Sequence, residues 1–151
     1  MEIIIIIAGL ILDRITKIWA SGALKVQDIV IIKDLLSFSY LENRGAAFGI
    51  FQNKVILLAL ITIAVLAGMV YYLIKYKPSS KLFKVSAALI ISGAIGNLFD
   101  RVYYNYVVDF IMFHYKYVYY FPTFNVADIL VVTGTALMVL YLLKEEKHGK
   151  N

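Results

Sequence analysis

The sequence predicts an all-α membrane protein with four transmembrane helices, cytoplasmic N and C termini, and small β-strand elements in two outer loops. Three observations predict this class: the composition, the spacing of the apolar segments and the distribution of lysines. Hydrophobic residues make up 62% of the 151 residues and charged residues only 17%, and the mean hydropathy is +0.79. Soluble domains contain about 45–50% apolar and about 25% charged residues, so lipid is the expected solvent. The length predicts a single domain over residues 1–151.

Four apolar segments are long enough for helices that cross the hydrocarbon core, which takes roughly 20 residues. They lie at about residues 3–20, 55–74, 82–99 and 126–143. Asp13, Arg14 and Lys17 interrupt the first segment, so it also fits the short apolar core of a signal peptide. The acidic Glu2 stands where a signal peptide carries basic residues, and we therefore favour an uncleaved span.

The lysines predict the orientation of the spans. The short connection between the second and third spans carries four lysines and no acid: Lys75, Lys77, Lys81 and Lys84. The positive-inside rule places this connection and both termini in the cytoplasm, and the two long connections on the outer face of the membrane. The net charge of +5 then reflects topology and contact with anionic lipid, and no nucleic-acid partner is expected.

The two outer connections have an unusual composition for loops. Asp28–Leu36 and Ser37–Leu41 are rich in isoleucine, leucine and aromatic residues, which predicts short strands. The second connection is rich in tyrosine and phenylalanine, which is typical of the aromatic belt at a membrane interface. We expect small sheet elements in both connections, lying on the outer leaflet close to the span ends.

Polar side chains cluster at the outer ends of the predicted spans, where each needs a partner or a role. Asn97, Asp100 and Arg101 end the third span on one helical face. Asn125 and Asp128 open the fourth span, and Asn43 lies in a turn of small residues that ends the first outer loop. Structural explanations are open for several of these residues, namely an Asp100–Arg101 ion pair, Asn125 as a helix N-cap, and an i, i+4 pair of Asp13 with Lys17.

Asp109 and Asp128 are harder to explain structurally, because neither has a basic residue within four positions in the sequence. A buried carboxylate without a cation has a raised pKa. Two such acids at one depth could share a proton, so that one activates water while the other polarises a carbonyl group. The sequence lacks cysteine and has only two histidines, and we expect no metal and no cofactor. Two non-enzymatic alternatives are a proton-coupled transporter that uses Asp13, Asp100 and Asp128 as a relay, and a structural helical scaffold.

Five short motifs occur in order along the chain: Asp13-Arg14-Ile15-Thr16-Lys17, Asn43-Arg44-Gly45-Ala46-Ala47-Phe48-Gly49, Gly96-Asn97-Leu98-Phe99-Asp100-Arg101, Val107-Val108-Asp109-Phe110 and Phe124-Asn125-Val126-Ala127-Asp128. In these motifs, and in its span number and length, the chain resembles the bacterial lipoprotein signal peptidases, also called signal peptidase II.

The resemblance implies an aspartic endopeptidase of the bacterial cytoplasmic membrane, with its active site at the outer face. Asp109 and Asp128 would form the catalytic dyad. The other residues implied at the site are Asn43, Asn97, Asp100, Arg101 and Asn125, with Asp13 and Lys17 in support; of these, Asn43 and Arg101 would contact substrate. The substrate implied is a prolipoprotein whose cysteine carries diacylglycerol, cut just before that cysteine. A globomycin-type cyclic peptide would inhibit the enzyme, and we expect a monomer. We expect Asn43–Gly49 to form a lid, because glycine and alanine allow backbone movement.

Overall fold

The computed structural model describes residues 1–45, 51–116 and 118–148. Within these ranges the chain forms four helices, α1 (Glu2–Ala23), α2 (Val55–Tyr76), α3 (Lys81–Tyr104) and α4 (Val126–His148). It also forms four strands, β1 (Ile29–Ile32), β2 (Leu36–Asn43), β3 (Val107–Tyr115) and β4 (Tyr119–Tyr120). The strands form one antiparallel sheet in the order β1-β2-β3-β4.

Three helices in the described part of the chain are long and apolar enough to cross a membrane: α2, α3 and residues Val126–Glu145 of α4. Each overlaps a predicted span closely. Helix α3 continues beyond the predicted end at residue 99 and therefore carries Asp100 and Arg101 within its last turns. Helix α1 begins and ends close to the predicted first span, but its interior holds the charged residues Asp13, Arg14 and Lys17.

Helix α3 is the centre of the helical packing, because it contacts each of the other helices. Small residues allow close approach on both sides. A Cβ added to Gly96 would lie 2.6 Å from Asp13 Oδ2, and one added to Gly93 would overlap the carbonyl oxygen of Ala127. Helix α2, by contrast, packs against α3 alone among the described elements. A gap is therefore left between α2 and α4.

The sheet closes one end of the helix bundle. Val108 and Phe110 of β3 pack against Ala20 and Leu24 at the end of α1, and Trp19 makes an edge contact with Phe38 at 5.6 Å. An irregularity in the β2–β3 register after Phe38 inserts an extra β2 residue opposite β3. The contacts between β3 and α1 fix the position of β3 relative to the ends of the helices.

The expected strands are confirmed in both connections. Strand β1 lies inside the predicted segment Asp28–Leu36, and β2 extends the predicted Ser37–Leu41 at both ends. The apolar run around Asp109 is the longest strand, β3. The expected lid falls on Asn43–Gly49, and its residues 46–49 lie outside the described residues.

Candidate active site

The first turn of α4 is closed by a reciprocal pair of hydrogen bonds between Asn125 and Asp128. Asn125 Oδ1 accepts from the backbone N–H of Asp128 at 3.0 Å, and Asp128 Oδ2 accepts from the backbone N–H of Asn125 at 3.1 Å. This is a capping box, in which an N-cap side chain and an acid three residues later satisfy each other's backbone donors. The Asp128 carboxylate is therefore fixed at the positive end of the helix dipole.

Asp109 of β3 faces the same end of α4 and is 1% exposed. Its Oδ1 accepts from Asn125 Nδ2 at 2.6 Å, and its Oδ2 accepts from Asn43 Nδ2 at 2.8 Å. Burial and, second, the neighbouring Asp128 raise the pKa of Asp109, and the two amide donors and Lys17 lower it, with a net rise to about 7. Asp109 is therefore an acid that keeps its proton far above the usual carboxylate range.

Asn125 links the two carboxylates. Its side-chain oxygen is held by the α4 cap, so its Nδ2 is the group that faces Asp109. The side chain is fully buried, and its Nδ2 also lies within hydrogen-bond distance of Asn97 Oδ1 at 3.1 Å. Asn97 in turn donates from Nδ2 to Asp128 Oδ1 at 2.7 Å. Two amide side chains thus align the two acids.

A buried charge cluster lies directly behind these amides, between α1 and α3. Lys17 Nζ contacts Asp13 Oδ2 at 3.0 Å, Asp100 Oδ2 at 2.9 Å and Asn97 Oδ1 at 2.9 Å. Arg14 Nη2 contacts Asp100 Oδ1 at 2.5 Å, and Asp13 Oδ1 accepts from the backbone N–H of Ala127 at 3.0 Å. The expected Asp13–Lys17 pair is confirmed.

The structure pairs Asp100 differently from the alternative considered for the sequence. Its ion pairs are with Arg14 and Lys17 of α1, and its Oδ2 also accepts from the backbone N–H of Val108 at 3.2 Å. Arg101 instead lines a cavity together with Asp109 and Asp128 and interacts electrostatically with both carboxylates.

The cavity has a volume of about 760 Å³ and lies between α2, α3 and α4, below the sheet. Its charged groups lie at the end nearest the sheet, with two amides beside them: Arg101, Asp109, Asp128, Asn43 and Asn97. It is also lined by Gln52, Thr62, Thr123 and Thr133. The rest of the wall is mainly apolar, formed by residues such as Ile61, Val65, Ile90, Val131 and Val132. A polar, acid-bearing end on an apolar cavity suits a ligand with a peptide group attached to a long apolar part.

Comparisons with known proteins agree with this geometry. The sequence model of the family described as signal peptidase (SPase) II matches residues 5–144. The chain belongs to the signal peptidase II family. A lipoprotein signal peptidase of Clostridium novyi is 58% identical over 148 residues, which cover 97% of this chain and 100% of that protein. The corresponding protein of Pseudomonas aeruginosa is 36% identical over 145 residues, covering 93% and 86% of the two chains.

Two solved structures of a bacterial membrane enzyme share the fold. One, at 2.3 Å resolution, is 34% identical with a TM-score of 0.88, covering 97% of this chain and 90% of that chain. The other, at 1.9 Å resolution, is 35% identical with a TM-score of 0.83, covering 95% and 92%. The family resemblance drawn from the five motifs is confirmed.

In this signal peptidase II, all nine residues singled out from the sequence belong to one connected region: Asp13, Lys17, Asn43, Asn97, Asp100, Arg101, Asp109, Asn125 and Asp128. Sequence reasoning assigned no site role to Arg14, which binds Asp100 and lies 4.6 Å from the Phe99 ring. The sequence signal that could have indicated a site role for Arg14 is its position next to Asp13 in the first motif. The apolar cavity wall was also missed, because it is formed by residues that look like ordinary lipid-facing positions.

Proposed function

We propose that this signal peptidase II is a membrane aspartic endopeptidase that removes the signal peptide from diacylglyceryl-modified prolipoproteins, cutting just before the lipidated cysteine. Its relatives are named lipoprotein signal peptidase at up to 58% identity. The observation that carries the catalytic part is that Asp109 and Asp128 line one cavity and are hydrogen-bonded to the same residue, Asn125.

The charges around the dyad support a single retained proton. The connected region contains four acids and three bases: Asp13, Asp100, Asp109 and Asp128 with Arg14, Lys17 and Arg101. Uncompensated charge is costly in a low-dielectric setting, so one acid stays protonated. The raised pKa of Asp109 supports a proton on that acid. Asp128, at the helix N-terminus with two N–H donors, is the ionised partner.

The reaction follows from this assignment. Asp128 takes a proton from a water molecule, whose oxygen attacks the carbonyl carbon of the residue before the cysteine, while Asp109 gives its proton to the carbonyl oxygen. The tetrahedral intermediate then collapses: Asp109 takes back a proton from one of its two hydroxyl groups as the C=O bond re-forms, the C–N bond breaks, and the cysteine nitrogen receives the proton held by Asp128. The products are a signal peptide with a free carboxyl group and a lipidated cysteine with a free amino group. Asn43 and Arg101, which line the cavity beside the dyad, are proposed to hold the peptide backbone.

The shape of the cavity supports a lipid-modified substrate. Its apolar wall continues from the dyad between α2 and α4, where the two helices are not packed against each other. An apolar signal helix and acyl chains can therefore reach the acids from the side, without leaving lipid. A globomycin-type cyclic peptide with an apolar tail would occupy the same space and inhibit.

The exposed surface of α1 supports a membrane position with four spans. The charged residues of α1 turn inward, and the helix exposes an apolar surface formed by Ile3, Ile4, Ile7, Ile11, Leu12, Ile15 and Ile18. We propose α1 as the fourth span. Glu2 interacts electrostatically with Lys84, so the N-terminus lies at the lysine-rich end of the bundle, opposite the dyad. By the positive-inside rule that end is cytoplasmic, which puts the site at the outer face of the bacterial cytoplasmic membrane. We propose one domain over residues 1–151, acting as a monomer.

The test is cleavage of a diacylglyceryl-modified prolipoprotein by the purified protein in detergent. Asp109→Asn and Asp128→Asn are expected to abolish cleavage, since each removes an acid while keeping its size. Asp28→Asn is the matched control, because Asp28 is an exposed acid in the outer loop and is expected to leave the rate unchanged. The same precursor without diacylglycerol tests the lipid requirement.

Each outcome decides one part of the proposal. A folded dyad variant that cuts at the wild-type rate would show that the dyad is misassigned. Equal cleavage of the unmodified precursor would remove the lipid requirement. A wild-type protein that does not cut the modified precursor would overturn the proposed activity.

A further inference from the structure

Lys17 is a buried cation whose role goes beyond balancing charge. It is 1% exposed and is not among the described residues that line the cavity, so it does not meet substrate there. Its ammonium group forms ion pairs with Asp13 Oδ2 at 3.0 Å and Asp100 Oδ2 at 2.9 Å, and it donates a hydrogen bond to Asn97 Oδ1 at 2.9 Å. Two of these oxygens balance its charge. The third belongs to an amide that bonds directly to a dyad acid.

The Asn97 amide can in principle turn over and exchange its oxygen and nitrogen. Lys17 can only donate hydrogen bonds, so the Asn97 atom that faces it must be the oxygen. Asn97 Nδ2 is then directed to Asp128 Oδ1, at 2.7 Å. Asn125 Nδ2 supports the same orientation, but it is shared with Asp109 and with the carbonyl oxygen of Val108. Lys17 is the donor whose charge holds the Asn97 oxygen.

We propose that Lys17 is a positioning residue for the catalytic dyad: by holding Asn97 Oδ1 it directs Asn97 Nδ2 to Asp128. This inference rests on the proposed peptidase function. Lys17 acts through Asn97 and lies behind the cavity wall, so its loss slows the chemical step without changing how substrate binds. The expected signature is a fall in kcat with KM unchanged.

Arg14 provides a matched comparison within the same cluster. Like Lys17 it is a cation on α1 that contacts both Asp13 and Asp100, at 3.8 Å and 2.5 Å. Arg14 donates its hydrogen bond to Asp100, 86 positions away in the sequence, and among the described residues it makes no bond to Asn97. Arg14→Met and Lys17→Met therefore remove the same charge from the same acids, and only the second removes the bond to Asn97.

The experiment measures kcat and KM for cleavage of the diacylglyceryl-modified prolipoprotein in detergent, with thermal unfolding of each variant. We expect Lys17→Met to lower kcat by about 10²-fold with KM unchanged, because a small misplacement of a catalytic group costs that much. Arg14→Met is expected to lower kcat by no more than roughly threefold.

A charge-balanced background protects the test against loss of folding. In Asp13→Asn the cluster has one anion fewer, so removing either cation leaves the rest of the cluster neutral. Lys17→Met and Arg14→Met are compared again in this background, relative to Asp13→Asn itself. The route through Asn97 is tested by adding Lys17→Met to Asn97→Leu, where we expect no further fall in kcat.

Equal falls in kcat for the Lys17 and Arg14 variants, in either background, would overturn the inference. So would a further, multiplicative fall when Lys17→Met is added to Asn97→Leu, since it would show that Lys17 acts independently of Asn97. These results leave the proposed function standing, because the wild type still cuts and Asp128→Asn does not. A wild type that fails to cut would overturn the proposed function, and this inference with it.

Discussion

Loss of the Asn43 amide should move the alkaline limb of the pH–rate profile to higher pH. The pKa of Asp109 is raised to about 7, chiefly by burial, and the bond from Asn43 Nδ2, at 2.8 Å, limits that rise because it stabilises the ionised carboxylate. A hydrogen bond to a charged group contributes about 1.5–3 kcal/mol, and one pKa unit is about 1.4 kcal/mol. Asn43 is only half-buried, so water replaces part of the lost bond, and we expect a rise of about one unit.

The sign follows from the role of Asp109 as the acid. In the proposed mechanism the enzyme is active while Asp109 holds its proton, so we expect activity to fall as the pH rises through the pKa of Asp109, with a midpoint near 7 in the wild type. In Asn43→Ala the midpoint should lie about one unit higher. The assay is initial cleavage rate in detergent across the pH range, scaled to the maximum of each variant, because Asn43 is also proposed to hold substrate.

Glu42→Gln is the control for this prediction. Glu42 neighbours Asn43 on the same strand, but its described partners are the Tyr40 hydroxyl and Arg44. Its substitution removes a negative charge without touching Asp109 and should leave the midpoint in place. An alkaline limb that stays fixed in Asn43→Ala, or moves to lower pH, would refute the assignment of Asp109 as the buried acid.

Three further predictions concern stability, the α4 cap and metals. Gly96→Ala should lower the free energy of unfolding by about 1–3 kcal/mol, because its Cβ would lie 2.6 Å from Asp13 Oδ2. Gly68→Ala is the control, because the space around Gly68 is open, and it should change the free energy of unfolding by less than about 1 kcal/mol. Equal losses of stability in thermal melts would contradict the close packing at Gly96. Asn125→Ser should keep the helix cap but lose most activity, because it keeps an acceptor for the α4 N–H and lacks the amide donor to Asp109. A folded Ser variant that is active would show that the donor is dispensable. A chelator should leave cleavage unchanged, because the described residues contain no group of three His, Cys, Asp or Glu side chains placed to hold a metal. Inhibition by the chelator that is reversed by added metal would reveal a metal site and contradict this prediction.

Helices α2, α3 and α4 could be predicted from the sequence because each depends on a nearly continuous apolar run. The orientation of the α1 charges could not, since it depends on α3: Asp13 and Lys17 point inward because Asp100 and Asn97 meet them there. A hydropathy count treats those residues as interruptions of a lipid-facing surface. Their inward packing depends on contacts between α1 and α3, which are far apart in the sequence.

The site residues could be predicted by motif, but their partners could not. Asp100 was considered with its neighbour Arg101, yet it pairs with Arg14, 86 positions away. Such contacts depend on how closely α1 and α3 approach, which Gly96 permits. The extent and register of the strand that carries Asp109 could likewise not be predicted, because β3 pairs with β2 through an irregular register.

The capping box of α4 ties catalysis to the local stability of one helical turn. The bonds that close this turn, between Asn125 and Asp128, also set the position of a dyad acid and of the amide that reaches the other. Fraying of a helix end is a local opening that needs far less free energy than global unfolding. Heating should therefore inactivate the enzyme reversibly below its melting temperature, and a bound substrate or inhibitor that bridges the two acids should raise the temperature of inactivation more than that of melting.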